Sequence, residues 1–105
     1  MRTVSNLLSL DGKIFVFLRS GNICERFLKA AEAEGFTFRD GALPTQRDRS
    51  DIYALHQDWT ISYVGWAGHL AFHHPEIPSA ELLIRVDYGK YFSGREDYVV
   101  ENSPD

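Results

Sequence analysis

The chain has 105 residues, 44% of them hydrophobic and 25% charged, which makes it one globular domain and excludes a disordered chain. A formal net charge of −4 disfavours nonspecific attraction to nucleic acid phosphate, and no apolar run approaches the roughly 20 residues that a bilayer span demands, so neither nucleic acid nor membrane is expected as a partner. One cysteine excludes an internal disulfide framework and suits a reducing compartment, and the first residues, MRTVSNLLSLDGK, lack the apolar core and cleavage pattern of a signal peptide, which places the protein in a cytoplasm.

In chain order, Val4, Leu7, Leu8 and Leu10 fit either a short helix capped by Thr3 or Ser5 or an arm that docks on a neighbour. Asp11-Gly12 is a turn signal. Lys13 to Arg19 (KIFVFLR) is the clearest strand: Ile14, Val16 and Leu18 share one face and Phe15 and Phe17 the other, so both faces need cover and the strand is central. A helix follows from Asn22 to Glu34, with Asn22 and Glu25 spaced as a capping box and Gly35 as its stop. Ile23, Phe27, Leu28 and Ala31 form its buried stripe. The order strand, helix, Phe36-Thr37-Phe38 predicts a crossover to a second strand beside the first.

Residues Arg39 to Ser50 (RDGALPTQRDRS) are the longest stretch without periodicity, and long ordered loops in small domains tend to carry function. Asp51 to Val64 reads as a hairpin turning at Gln57-Asp58, followed by the glycine-punctuated run Gly65-Trp66-Ala67-Gly68-His69. Two prolines make His73 to Pro78 a connection. Glu81 to Tyr88 (ELLIRVDY) is the last good strand, with Leu82, Ile84 and Val86 on one face; Tyr91 and Phe92 fall in a turn-rich segment, Tyr98-Val99-Val100 adds an edge strand, and Glu101 to Asp105 frays. The sum is an α+β fold: a small single domain, residues 1–105, with a mixed or antiparallel sheet packed by one principal helix.

No enzyme motif is present. His69, His73 and His74 lack a carboxylate or cysteine at ligand spacing, and no metal or other cofactor is called for. Cys24 sits among Ile23 and Phe27 as a half-buried filler, and Asp40, Asp48, Asp51 and Asp58 are each explained by turns and caps. Phosphate-loop patterns are absent. What stands out is basic and aromatic together. Arg47 reads as pairing with neighbouring acids, whereas Arg49 and Arg85 read as phosphate ligands, Thr45 as a further donor, Trp66 or Tyr91 as a base-stacking ring and His69 as a hydrogen-bond partner for a ribose or base edge. An aromatic share of 13%, with Phe15, Phe17, Tyr63, Trp66, Tyr91 and Phe92 exceeding what one helix can cover, predicts a homo-oligomer.

At AEAEGFTF, the DG…PT of the long loop, YVGWAGHLAF and RVDY…KY…G the chain resembles small proteins of phages and mobile elements of Gram-positive bacteria, a similarity that covers most of Lys13 to Tyr98. The nearest family in that group is the Thoeris anti-defence sponges. That resemblance implies an oligomer with pockets between chains, acting in the host cytoplasm, which traps a cyclic nucleotide immune signal without cleaving it. It carries over no site residues. The other class consistent with a phage origin is a protein-directed inhibitor, an anti-CRISPR or other binder of a host defence protein.

Overall fold

Alternation in Lys13–Phe17 (β1) sends Ile14 and Val16 to one side of the sheet and Phe15 and Phe17 to the other. The computed structural model describes residues 2–10, 13–64 and 83–99. It places β1 between Ile52–Leu55 (β3), its antiparallel neighbour, and Leu83–Asp87 (β5), its parallel one. Thr60–Tyr63 (β4) continues from β3 as the second arm of a hairpin, and Thr37–Phe38 (β2) closes the far edge, giving the mixed order β2-β4-β3-β1-β5. The fold class read from the sequence is therefore the one observed.

The principal helix, Gly21–Glu34 (α1), covers the first face of this sheet. Phe27, Leu28 and Ala31 are buried, and Ile23 packs beside them, so the predicted stripe is the one that docks. Its start differs from expectation. Ser20, with extended backbone, is the N-cap, and its hydroxyl accepts from the Ile23 amide at 3.3 Å. Glu25 does not reach back as a capping-box partner, because its carboxylate is held by Lys29 one turn on, at 2.8 Å. Gly35 ends the helix at φ 101°, a left-handed geometry that suits glycine.

The crossover lands elsewhere than predicted. β2 runs parallel to β4, and so to β1, but the β3–β4 hairpin lies between them. A strand of two residues offers too few ladder bonds to flank a five-residue centre; β3, with all four residues buried, takes that place. The hairpin turns at His56 to Trp59, where Trp59 N–H donates to the His56 carbonyl at 3.1 Å. Trp59 itself has φ 65°, a costly conformation for a non-glycine residue, held while its ring stacks on Phe36 at 4.9 Å.

Both ends of the described chain fold back on the same body. Ser5–Ser9 is a 3-10 helix whose first amides, Val4 and Ser5, donate to the Glu34 carboxylate at 2.8 and 2.9 Å. Neither Thr3 nor Ser5 is the N-cap; Val4 occupies that position, and Thr3 serves the Asn6 amide instead. With Val4 and Leu7 buried in the main core, the arm docks on its own chain. Tyr88–Phe92, expected as a turn-rich stretch, is a short helix (α2) capped by Asp87, whose carboxylate accepts from the Lys90 amide. Val99 then bridges Val86 on the outer side of β5, the edge pairing expected for that segment. Among the described residues no helix is long and apolar enough to cross a membrane.

Candidate functional site

The long loop after β2 is staked at several points. Asp40 accepts from the Ala42 amide at 3.1 Å, and Gly41, at φ 91°, donates to the Phe38 carbonyl, so the expected turn forms. Pro44–Gln46 makes one 3-10 turn against α1. Beyond it, the hydroxyls of Tyr53 and Tyr63 both donate to the Asp48 carbonyl, and Ser50 N–H donates to Tyr53. Tyr53 is fully buried, and burial pushes its phenol well above the usual range, keeping it a neutral donor. Cys24 Sγ completes the set by donating to the Ser50 carbonyl at 3.4 Å. The thiol is buried in the core, and burial raises its pKa.

This anchoring positions the loop arginines Arg47 and Arg49 opposite Lys29 of α1. A cavity of about 230 Å³ lies between the loop and α1, lined by Glu25, Leu28, Lys29, Thr45, Arg47 and Arg49. Arg49 Nη2 stands 3.8 Å from Glu25 Oε2, while Lys29 holds the other carboxylate oxygen. The Lys29 hydrogen bond and charge, with Arg49 further away, hold the Glu25 carboxyl below the usual carboxylate range. Arg47 is paired with Asp40 and stacks over Phe38 at 5.2 Å. Arg47 thus pairs with an acid as expected, Asp40, whereas Arg49, read as a phosphate ligand, stands beside Glu25. Glu25 faces Lys29 and Arg49 within the cavity, and Asp40 pairs with Arg47 from outside it; all three cations are at least 40% exposed, so an entering anion meets positive charge that is only partly neutralised.

Of the six residues singled out from the sequence, the four described ones, Thr45, Arg49, Arg85 and Tyr91, do not converge. Thr45 and Arg49 share the cavity, but the Thr45 amide and hydroxyl both donate to Glu32 Oε1, at 3.2 and 2.7 Å, which commits its donors to the protein. Arg85 is level with Phe15 in the parallel pairing, on the opposite face of the sheet from α1, and is 7% exposed. Burial lowers its pKa. Tyr91 is 3% exposed, its hydroxyl donates to the Thr3 carbonyl at 2.6 Å, and Arg2 covers its ring. It offers no open face for stacking. Trp66 and His69, with His73 and His74, lie outside the described residues.

Lys29 is the member of the cavity that the sequence reading missed. Its signal was the Glu25–Lys29 spacing of one helical turn, which Glu25's apparent capping role obscured. Among the described residues no group of three or more His, Cys, Asp or Glu could hold a metal ion. No protein-family model matches the chain, and no curated protein or solved structure matches it. The functional reading therefore rests on residues and geometry.

Proposed function

We propose that the protein binds a small phosphorylated nucleotide, such as a cyclic ADP-ribose isomer or a cyclic oligonucleotide, and sequesters it without cleavage, as a phage-encoded anti-defence protein. The observation that carries this reading is the set of Lys29, Arg47 and Arg49 around one cavity of about 230 Å³ in a chain that is acidic overall. Guanidinium forks recognise phosphate in this manner, and Glu25 lies between Lys29 and Arg49, one oxygen toward each. The cavity is smaller than the roughly 300 Å³ at which pockets for whole organic ligands begin, so it suits a phosphate and part of a sugar. Trp66 and His69, and a second copy of the chain, remain in the proposal as the groups that hold the base.

A sequestering protein must outcompete a sensitive effector, which asks for nanomolar affinity, about −12 kcal/mol. Calorimetry across cyclic ADP-ribose isomers and cyclic oligonucleotides tests this, followed by heat release of the ligand and its identification. Intact ligand supports sequestration; a cleaved product, or no ligand binding below about micromolar Kd, overturns it. Arg49→Ala and Lys29→Ala should each weaken binding about tenfold or more, roughly 1.4 kcal/mol. Light scattering at micromolar concentration tests the homo-oligomer, and a clean monomer removes the second copy from the pocket.

A second reading has its own observation. Leu43, Trp59 and Tyr63 are each more than 40% exposed, and the two rings flank the short edge strand β2 through Phe36 and Phe38. Aromatic residues of this kind anchor protein interfaces, as a protein-directed inhibitor of a host defence factor would require. Trp59→Ala should then abolish capture of the host protein while leaving nucleotide binding unchanged.

A further inference from the structure

β1 and β5 are parallel neighbours whose carboxyl ends lie together, with Phe17 level with Asp87. The chains leaving the two strand ends form helices that pack against one another on one face of the sheet, with a crevice between their first turns. Here β1 leaves through Arg19 and Ser20 into α1, and β5 leaves through Asp87 into α2. The crevice is a cavity of about 270 Å³, lined by Arg19, Ile23, Asp87, Lys90, Ser93 and Arg95. It is separate from the first cavity, which takes Glu25, Leu28 and Lys29 of α1 as its wall.

Two features make this crevice more than a charged hollow. Asp87, 3% exposed, accepts from Arg19 Nη2 at 2.7 Å and from the Lys90 amide at 3.2 Å, so a buried carboxylate fixes both a guanidinium and the start of α2. Lys90 and Arg95 already close on one anionic group. The Asp97 carboxylate accepts from Lys90 Nζ at 3.3 Å and from Arg95 Nε and Nη2 at 3.0 and 2.9 Å, a fork. Asp97 is more than half exposed, so these pairs are weak and readily exchanged. Arg19, Lys90 and Arg95 thus face two carboxylates, one of them fixed and one replaceable.

We propose that this crevice is a second anion site, for the phosphate group of a soluble phosphate ester, and that Asp97 occupies the anion's place until the phosphate displaces it. A phosphate monoester brings up to two negative charges and three acceptor oxygens where Asp97 brings one charge and two oxygens, so exchange favours the phosphate. This site does not depend on the reading of the first cavity as a phosphate site, which it shares no lining residue with.

The test is a titration of the full chain with inorganic phosphate, followed by amide NMR at neutral pH, against sodium chloride at matched ionic strength. Saturable shifts at Gly89 to Arg95 are expected. In Asp97→Asn the same site should bind phosphate several-fold more tightly, and Lys90→Gln with Arg95→Gln should weaken it about tenfold or more while shifts around Arg49 persist. Shifts confined to residues 45–49, an equal response to chloride, or no gain in Asp97→Asn would each overturn the proposal. Shifts at Gly89 to Arg95 without any at 45–49 would support it and overturn the first cavity as a phosphate site.

Discussion

Replacing Glu34 with Ala should unlock the N-terminal arm. The Glu34 carboxylate accepts from two successive amides, Val4 at 2.8 Å and Ser5 at 2.9 Å, at the start of the Ser5–Ser9 helix. Hydrogen bonds to a charged acceptor contribute roughly 1.5–3 kcal/mol each, and water can replace part of that at this half-buried position, which leaves about 1–1.5 kcal/mol per amide. A carboxylate at the last residue of α1 opposes the helix dipole, and its removal returns about 0.5 kcal/mol. The net loss is about 2 kcal/mol, or a melting temperature lower by about 8 °C for a domain of this size. Urea unfolding followed by tryptophan fluorescence measures the first, and hydrogen exchange at the Leu7 amide, which donates to Val4, shows whether the arm is what has loosened. A loss below about 0.5 kcal/mol, against the roughly 2 expected, would refute the assignment of Glu34 as the latch. So would Leu7 protection that survives the substitution.

Three further outcomes are expected. Phe27→Ala removes a fully buried ring that lies 5.7 Å from Tyr53 and 5.2 Å from Tyr88, so urea unfolding should show a loss of about 3–5 kcal/mol; under about 1 would mean the helix does not pack as described. Gly35→Ala, at φ 101° with open space around the added carbon, should cost about 1 kcal/mol through the backbone alone, and Gly35→Asn less, as thermal melts would show. His56 accepts at Nδ1 from Arg39, which can only donate, so Nε2 carries the proton to Ser62; burial first and the Arg39 charge second lower its pKa in the folded state. The unfolded chain then binds the proton more readily, so this contribution to stability is present above the ordinary histidine range and is lost as pH falls through it. His56→Gln should flatten the fall in urea midpoint across that window, and an unchanged slope would exclude His56 as its source.

Periodicity made β1, α1 and the β3–β4 hairpin legible, because each buries a face whose pattern is local in the chain. Neighbourhood in the sheet is not local. Nothing in Phe36 to Phe38 shows that a hairpin arriving 14 residues later will take the place beside β1; only the brevity of β2 hints at it. The cap of α1 was ambiguous for a related reason. Ser20 and Asn22 are both good N-caps two residues apart, and the glutamate that favoured Asn22 has a better partner in Lys29. Excess rings argued for a second subunit, yet Phe15 is buried within the described chain and Tyr91 lies beneath Arg2 and Thr3, some ninety residues away in sequence. The rings that keep the argument for an interface open are Trp59, Tyr63 and Phe92.

The site divides along the same line. That the loop after β2 concentrates arginines was legible in its composition; where they stand relative to the cavity was decided by tyrosines and a cysteine outside the basic cluster. Asp48 and Ser50 are held by Tyr53, Tyr63 and Cys24, so the backbone that carries Arg47 and Arg49, on either side of Asp48, is set by side chains outside the basic cluster. Arg85 has the right chemistry but stands on a strand where strict alternation puts it level with Phe15, away from α1. Arg19, two residues past the end of β1 and read from the sequence as the end of the central strand, is held by a buried carboxylate. In this fold an arginine's value as an anion ligand follows from what fixes it. Arg19 is fixed by Asp87, and the loop arginines by a tyrosine-bound backbone. Both arrangements leave the guanidinium partly exposed at the rim of a cavity, which is the condition for exchanging an internal carboxylate for an incoming phosphate.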